Sequence, residues 1–131
     1  GLGTYKFSNA VNGTNYYIQL KHRNSIETWS KTFQQFTTSA LSYDFTTANT
    51  KAYGNNMPNI DASPVRYGIY SGDENQNGIV DLTDVVNVSN SASSFTTGYV
   101  SSDMNGNNIT DLTDLVITSN NASAFVAKIA P

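Results

Sequence analysis

The chain has 131 residues, enough for one domain of ordinary size or two small ones packed together, and its 38% hydrophobic and 11% aromatic content suffices for a core. Charged residues make up only 13%, the net charge is −3 and no basic stripe exists, which makes nucleic acid a poor candidate partner. There is no cysteine for disulfides, thiolate metal sites or cysteine catalysis, and no run approaches the roughly 20 apolar residues of a membrane span.

In chain order, the first predicted strand is Thr4 to Ser8, with Tyr5 and Phe7 on one face, and Asn12-Gly13 marks a turn. Further strand segments are Tyr16 to Lys21, Ile26 to Trp29 and Thr32 to Phe36. Leu41, Tyr43 and Phe45 alternate over Ala40 to Thr46, a period-2 signal for a half-buried strand. Thr47 to Pro64 reads as a long loop, and Arg66 to Tyr70 returns to strand character. The division near Tyr70 predicts two units, residues 1–70 and residues 71–131.

Beyond Tyr70 the chain repeats. Ser71–Val100 aligns with Ser101–Ala130 without a gap, roughly half the paired positions being identical, so one supersecondary unit is used twice. Each copy is a polar loop followed by an apolar segment, with Leu82, Val85, Val86 and Phe95 matched by Leu112, Leu115, Val116 and Phe125. The spacing fits one face of a helix, and the β-branched content predicts helices of two or three turns.

The two loops carry oxygen-bearing side chains at positions 1, 3, 5, 9 and 12, the ligand spacing of a twelve-residue calcium loop: Asp73, Asn75, Asn77, Asp81 and Asp84 in the first, Asp103, Asn105, Asn107, Asp111 and Asp114 in the second. Calcium is a hard ion that takes about 6–8 oxygens, and a chain wrapping it aims alternate side chains inward. Position 6 must then turn sharply, which suits Gly78 and, next best, Asn108. Position 7, Ile79 and Ile109, offers its backbone carbonyl while its side chain is expected in the core between the loops. Position 12 returns a carboxylate from the first turn of the helix. A single such stretch is usually only a turn; two in-register copies predict two bound Ca2+ ions. With neutral Asn at positions 3 and 5, affinity is expected on the order of 10⁻⁵ to 10⁻³ M, which suffices outside a cell and fails inside one. Catalysis is not expected, because the carboxylates are consumed as ligands and no nucleophile–base pair accompanies them.

Asp at position 12 with one helix per loop resembles the duplicated calcium repeat of type I dockerins, over about Ser71 to Ile129. Cohesin-binding dockerins often show Ser-Thr pairs at positions 10 and 11, where this chain has Leu82-Thr83 and Leu112-Thr113. In the first half, Gly3, Tyr5, Phe7, Gly13, Tyr16, Tyr17 and Ile18 resemble the G-x-Y-x-F…G-x-x-Y motif of carboxypeptidase-regulatory-like and Cna-B-like β-sandwiches, in which one or two strands precede it. The resemblances together imply an α+β protein: an incomplete Ig-like or prealbumin-like antiparallel β-sandwich, lacking its opening strands, packed on a dockerin-like pair of calcium loop–helix motifs. Such a sandwich leaves an edge that a strand from another chain can fill, and a head-to-tail contact of this kind makes filaments.

With the Lys21 to Asn24 segment ahead of the tandem loops, the arrangement resembles C-terminal modules of secreted bacterial surface proteins, which are generally accessory or structural. The expectation is therefore a calcium-stabilised extracellular or cell-surface module whose partner is a second copy of the chain or a secreted protein. The alternatives are a dockerin-like docking module and a carbohydrate-binding accessory domain using Trp29. Gly1 to Lys6 is no signal peptide, so an exported form is expected to have lost its signal. His22, the only histidine, is expected at a strand edge without a catalytic role. Asn12, Asn87, Asn108 and Asn121 head N-x-S/T sequences, the acceptor pattern for surface glycans.

Overall fold

The computed structural model describes residues 3–131. Its elements are mixed α and β, in the order β1 (Asn15–Tyr16), β2 (Gln19–His22), β3 (Ser25–Trp29), β4 (Gln34–Gln35), β5 (Asn59–Ala62), β6 (Val65–Tyr67), α1 (Leu82–Ser93) and α2 (Leu112–Ser123), with two single-turn 3₁₀ helices at Asn49–Lys51 and Tyr53–Asn55. The strands pair antiparallel in three separate two-stranded ladders, β1 with β4, β2 with β3 and β5 with β6.

The period-2 segments Thr4 to Ser8 and Ala40 to Thr46 form no strand. Alternation supplies a face, but a strand also needs a continuous edge to pair with; Thr4 to Ser8 pairs with no strand, and Ala40 to Thr46 is tied only at its ends, Ala40 bridging Thr37 and the Thr46 carbonyl accepting from the Tyr67 amide at 2.9 Å. Tyr5 and Phe7 stay 76% and 66% exposed. Tyr43 instead caps a 3₁₀ turn, its hydroxyl donating to the Lys51 carbonyl at 2.6 Å. The expected loop over Thr47 to Pro64 holds both 3₁₀ turns and β5.

β3 matters most, because besides its ladder with β2 it also pairs with the start of the repeat half. The Ile26 amide donates to the Tyr70 carbonyl at 2.8 Å, and Ser25 bridges Ser71. Ile26 then packs with Val80 and Val126 in the core, flanked by Tyr70 and Ala122. One residue of the first half and two of the second thus share a core, each fully buried aliphatic side chain contributing about 1.5–3 kcal/mol.

The two helices start alike. Asp81 and Asp111 are N-caps, accepting from the Thr83 and Thr113 amides at 2.7 Å. Asp84 and Asp114, three residues on, accept in return from the Asp81 and Asp111 amides at 3.0 and 2.9 Å, closing reciprocal capping boxes. The helices end alike too. Phe95 and Phe125 adopt positive φ (47° and 53°), and the hydrogen bonds Phe95 N to Ala92 O and Thr96 N to Ser91 O, repeated as Phe125 N to Ala122 O and Val126 N to Asn121 O, form Schellman ends. Glycine is the usual residue at that position, because a β-carbon there is strained.

The expected helix face is only partly turned inward: Val85 and Leu115 are half-buried, but the rest of it is not. Leu82, Val86 and Phe95 are 73%, 48% and 69% exposed, and Leu112, Val116 and Phe125 are 69%, 49% and 88% exposed. The faces actually buried carry Asp84 and Val88 in α1, Asp114 and Thr118 in α2. The capping carboxylates must turn inward toward their loops, and this rotates the apolar stripe outward.

Candidate metal centre

Each loop is wound by its own side chains. The Asn75 side-chain oxygen accepts from the Asn77 amide at 2.9 Å and the Asn77 oxygen from the Ile79 amide at 2.8 Å; Asn105 and Asn107 repeat this on the Asn107 and Ile109 amides at 2.9 Å each. Such bonds two residues ahead mimic backbone turns and curl the chain around a point. Gly78 and Asn108 take φ of 90° and 69°, as position 6 requires. Position 4 turns left-handed as well, with Gln76 at 58° and Gly106 at 80°, a need that the sequence spacing had not revealed.

Positions 1 and 12 close the ring. Asp73, Asp84, Asp103 and Asp114 are all 2% exposed or less. Asp84 Oδ1 accepts from the Asn75 amide at 3.2 Å, and Asp114 Oδ1 from the Met104 and Asn105 amides at 2.7 and 3.1 Å. Asp73 Oδ2 accepts from the Gly78 amide at 3.0 Å, and Asp103 Oδ2 from the Asn108 amide at 3.0 Å. Each carboxylate at position 12 thus reaches from the helix across to the start of the loop. Asp81 and Asp111 face their own helices as caps. Each loop therefore gathers two carboxylates with neutral Asn oxygens, and among the described residues no group of three or more Asp, Glu or His converges as a ligand set.

One atom stands apart. Asp73 Oδ1 is buried with no hydrogen-bond donor, the only such side-chain atom among the described residues. Burial, and then the neighbouring Asp84 charge, push the Asp73 carboxyl above its ordinary pKa, outweighing the amides of Gly78, Asn77 and Gln76 that favour the charge. A buried carboxylate oxygen without a donor, next to a second buried carboxylate, is uncompensated negative charge, which a cation would neutralise. The donor chemistry, all oxygen and partly neutral, fits a hard divalent ion.

The loops are braced from outside. Ile79 bridges Ala127, with Val80 N donating to Val126 O and Lys128 N to Gly78 O, each at 2.8 Å. Ile109 bridges Thr97, with Thr110 N donating to Thr96 O at 2.7 Å and Gly98 N to Asn108 O at 2.9 Å. The exit of α2 thus braces the first loop and the exit of α1 the second. The position 7 side chains do not build the core between the loops: Ile79 is 50% exposed and Ile109 only half-buried. Position 8 does, with Val80 and Thr110 at 1% and 0%. A small β-strand of a residue or two points alternate side chains oppositely, so once position 7 faces out, position 8 faces in.

The two repeats solve position 8 differently. Thr110 Oγ1 meets Ser102 Oγ at 2.8 Å in a buried polar pair. In the first repeat these positions are Val80 and Gly72, and a β-carbon on Gly72 would meet Val80 Cγ1 at 2.9 Å. Either pairing fills the same space without an orphaned hydroxyl.

The hairpin between β2 and β3 sits across both loops. Gln76 Nε2 donates to the His22 carbonyl. Asn24 Nδ2 donates to the Asp103 carbonyl at 2.7 Å, and Arg23 donates to the Val100 and Asp103 carbonyls, each at 2.9 Å. These contacts were missed in the sequence because they join residues 54 to 80 positions apart; the one available signal was a cationic Lys-His-Arg run in a chain poor in charge. His22 is exposed, its ring bonded to Asn24 Oδ1 at 3.0 Å. Trp29 is half-buried and donates through Nε1 to Glu27, two residues back on the same strand, at 2.6 Å.

No family model, curated protein or solved structure matches the chain.

Proposed function

We propose that this protein is an extracellular structural module whose repeat half is held folded by two Ca2+ ions, in the manner of a dockerin-like tandem. The observation that carries this reading is Asp73 Oδ1, a buried carboxylate oxygen with no donor beside a second buried acid. In the first loop Asp73, Asn75, Asn77 and Asp84 would hold the ion with the Ile79 carbonyl, Asp81 acting through water. In the second the set is Asp103, Asn105, Asn107, Ile109, Asp111 and Asp114. The ion supplies positive charge at the centre of each ring; the chain supplies preformed turns at positions 4 and 6. Because the unfolded chain has no such ring, binding energy becomes folding energy. The test is a melting-temperature titration with calcium, and with magnesium as the control. Calcium should raise the melting temperature and chelator reverse it; an unchanged melt in millimolar calcium overturns the proposal.

A second reading concerns what the module holds. Leu82, Val86 and Phe95 and their counterparts Leu112, Val116 and Phe125 give each repeat an exposed apolar patch, with both phenylalanines in a strained backbone conformation. Twin patches favour docking, either to a second copy of the chain in a fibre or to a secreted protein. Sedimentation and electron microscopy with calcium and with chelator separate these: filaments only in calcium support self-assembly, and a monodisperse monomer in calcium leaves a secreted protein as the partner.

A further inference from the structure

The lead aspartates of the two loops, identical in sequence position, differ in surroundings. Asp73 keeps Oδ1 free of donors. Asp103 has none to spare: its Oδ1 accepts from the Gly106 and Asn107 amides at 2.8 and 3.2 Å, and its Oδ2 from Asn108 at 3.0 Å. Arg23 Nη2 also lies 3.5 Å from Asp103 Oδ2, with side-chain exposures of 17% and 1%.

That guanidinium is fixed. Nε donates to Val100 O and Nη2 to Asp103 O at 2.9 Å each, Nη1 is 3.4 Å from His22 Nε2, and the plane lies 4.1 Å from the centroid of the Tyr99 ring. An arginine so held keeps its charge at one point and cannot swing away as an ion arrives. Among the described residues the first loop has no such ion pair. Its contact with the same hairpin is the neutral Gln76 amide, and Lys128, whose stem passes over Gly78, forms no ion pair with Asp73 or Asp84.

We infer that Arg23 is a resident counter-charge for the second loop, so that calcium fills the first loop first and the second about tenfold more weakly. The factor follows from a unit charge roughly 6 Å from a divalent ion, even with the full screening of water. The inference rests on the calcium reading above. It also makes the hairpin a determinant of metal affinity, since Arg23 belongs to the half of the chain without ion ligands.

The amides of Gly78 and Asn108, both at position 6 and both bonded to the lead aspartates, are site-resolved reporters in a calcium titration followed by NMR. In the wild-type protein Gly78 should saturate at about tenfold lower calcium than Asn108. Arg23→Gln should bring the Asn108 midpoint down to that of Gly78 without moving Gly78, and Arg23→Lys, which keeps the charge but loses the fork that fixes it, should leave a smaller gap. Simultaneous saturation in the wild type, or the reverse order, overturns the inference even if Arg23→Gln fails to fold. So does an Arg23→Gln variant that folds and keeps the wild-type gap. If neither amide moves up to about 10 mM calcium, beyond the weak end of extracellular sites, the calcium reading itself falls.

Discussion

Replacing Asp84 by alanine separates what the carboxylate does for the backbone from what it does for an ion. Asp84 is fully buried and accepts two amide hydrogen bonds, from Asn75 and Asp81, at 3.2 and 3.0 Å. Bonds to a charged group are each worth about 1.5–3 kcal/mol, and the relief of repulsion with Asp73 offsets part of the loss, so the metal-free protein should lose about 3 kcal/mol. For 131 residues at about 2.1 cal/mol/K each, 1 kcal/mol moves the melting temperature by about 4 °C, and the metal-free variant should melt about 10 °C lower. The calcium response is a second quantity. At a hundred times the dissociation constant of the first loop, that loop adds about 2.7 kcal/mol, and a second loop tenfold weaker adds about 1.4 kcal/mol. The wild type should therefore gain about 15 °C, Asp84→Ala about 5 °C and Asp114→Ala about 10 °C. Differential scanning calorimetry with chelator and with calcium measures all of these. A full calcium-dependent gain in both variants would refute the ligand assignment, whatever happens to the metal-free melts.

Ser102→Ala strands the buried Thr110 hydroxyl and should cost about 1–3 kcal/mol in urea midpoint analysis, while adding Thr110→Val should recover most of that, a coupling that a purely steric contact would not produce. Phe95→Gly and Phe125→Gly relieve positive φ at exposed positions, so each should raise stability by up to about 1 kcal/mol; a loss of that size would mean that the rings pack after all. Gly78→Ala, at φ 90° and crowding the flexible Lys128 stem, should lower both stability and calcium affinity, whereas Asn108→Gly should be neutral or stabilising. Burial works against the Glu27 charge, but hydrogen bonds from Trp29 and Gln19 and the charges of Lys128 and Lys21 hold its pKa below the usual 4.5. Its contribution is then present above pH 4.5 and lost as pH falls through the lower folded value. Trp29→Phe should flatten that acid limb of a stability–pH profile, and an unchanged limb would remove Glu27 as its source.

The loops were legible in the sequence because each of their rules is local. Side-chain spacing fixes which oxygens can face a common centre, and Gly78 and Asn108 sit where a left-handed turn is needed. The helix starts follow from the same letters, since an Asp at position 9 and another at position 12 form a reciprocal cap. What depended on distant partners was not legible. Thr4 to Ser8 and Leu41 to Phe45 alternate as well as true strands do, but alternation carries no information about a free edge. The outward rotation of Leu82 and Val86 follows from the inward pull on Asp84, a conflict that periodicity alone cannot weigh. Arg23 acts across most of the chain's length and left only the faint mark of a cationic run.

The crossed bracing of the repeats has a consequence for how the molecule comes apart. Thr96 to Gly98 leads straight into the second loop, so that loop is closed by its immediate neighbourhood in the chain, whereas the first waits for Val126 to Lys128. On a ribosome the earlier-made ring would be the later one completed. Trimming a handful of residues after Val126 would unlatch a ring some fifty positions upstream while sparing the nearer one, and a synthetic peptide carrying those few residues would be the natural thing to put back.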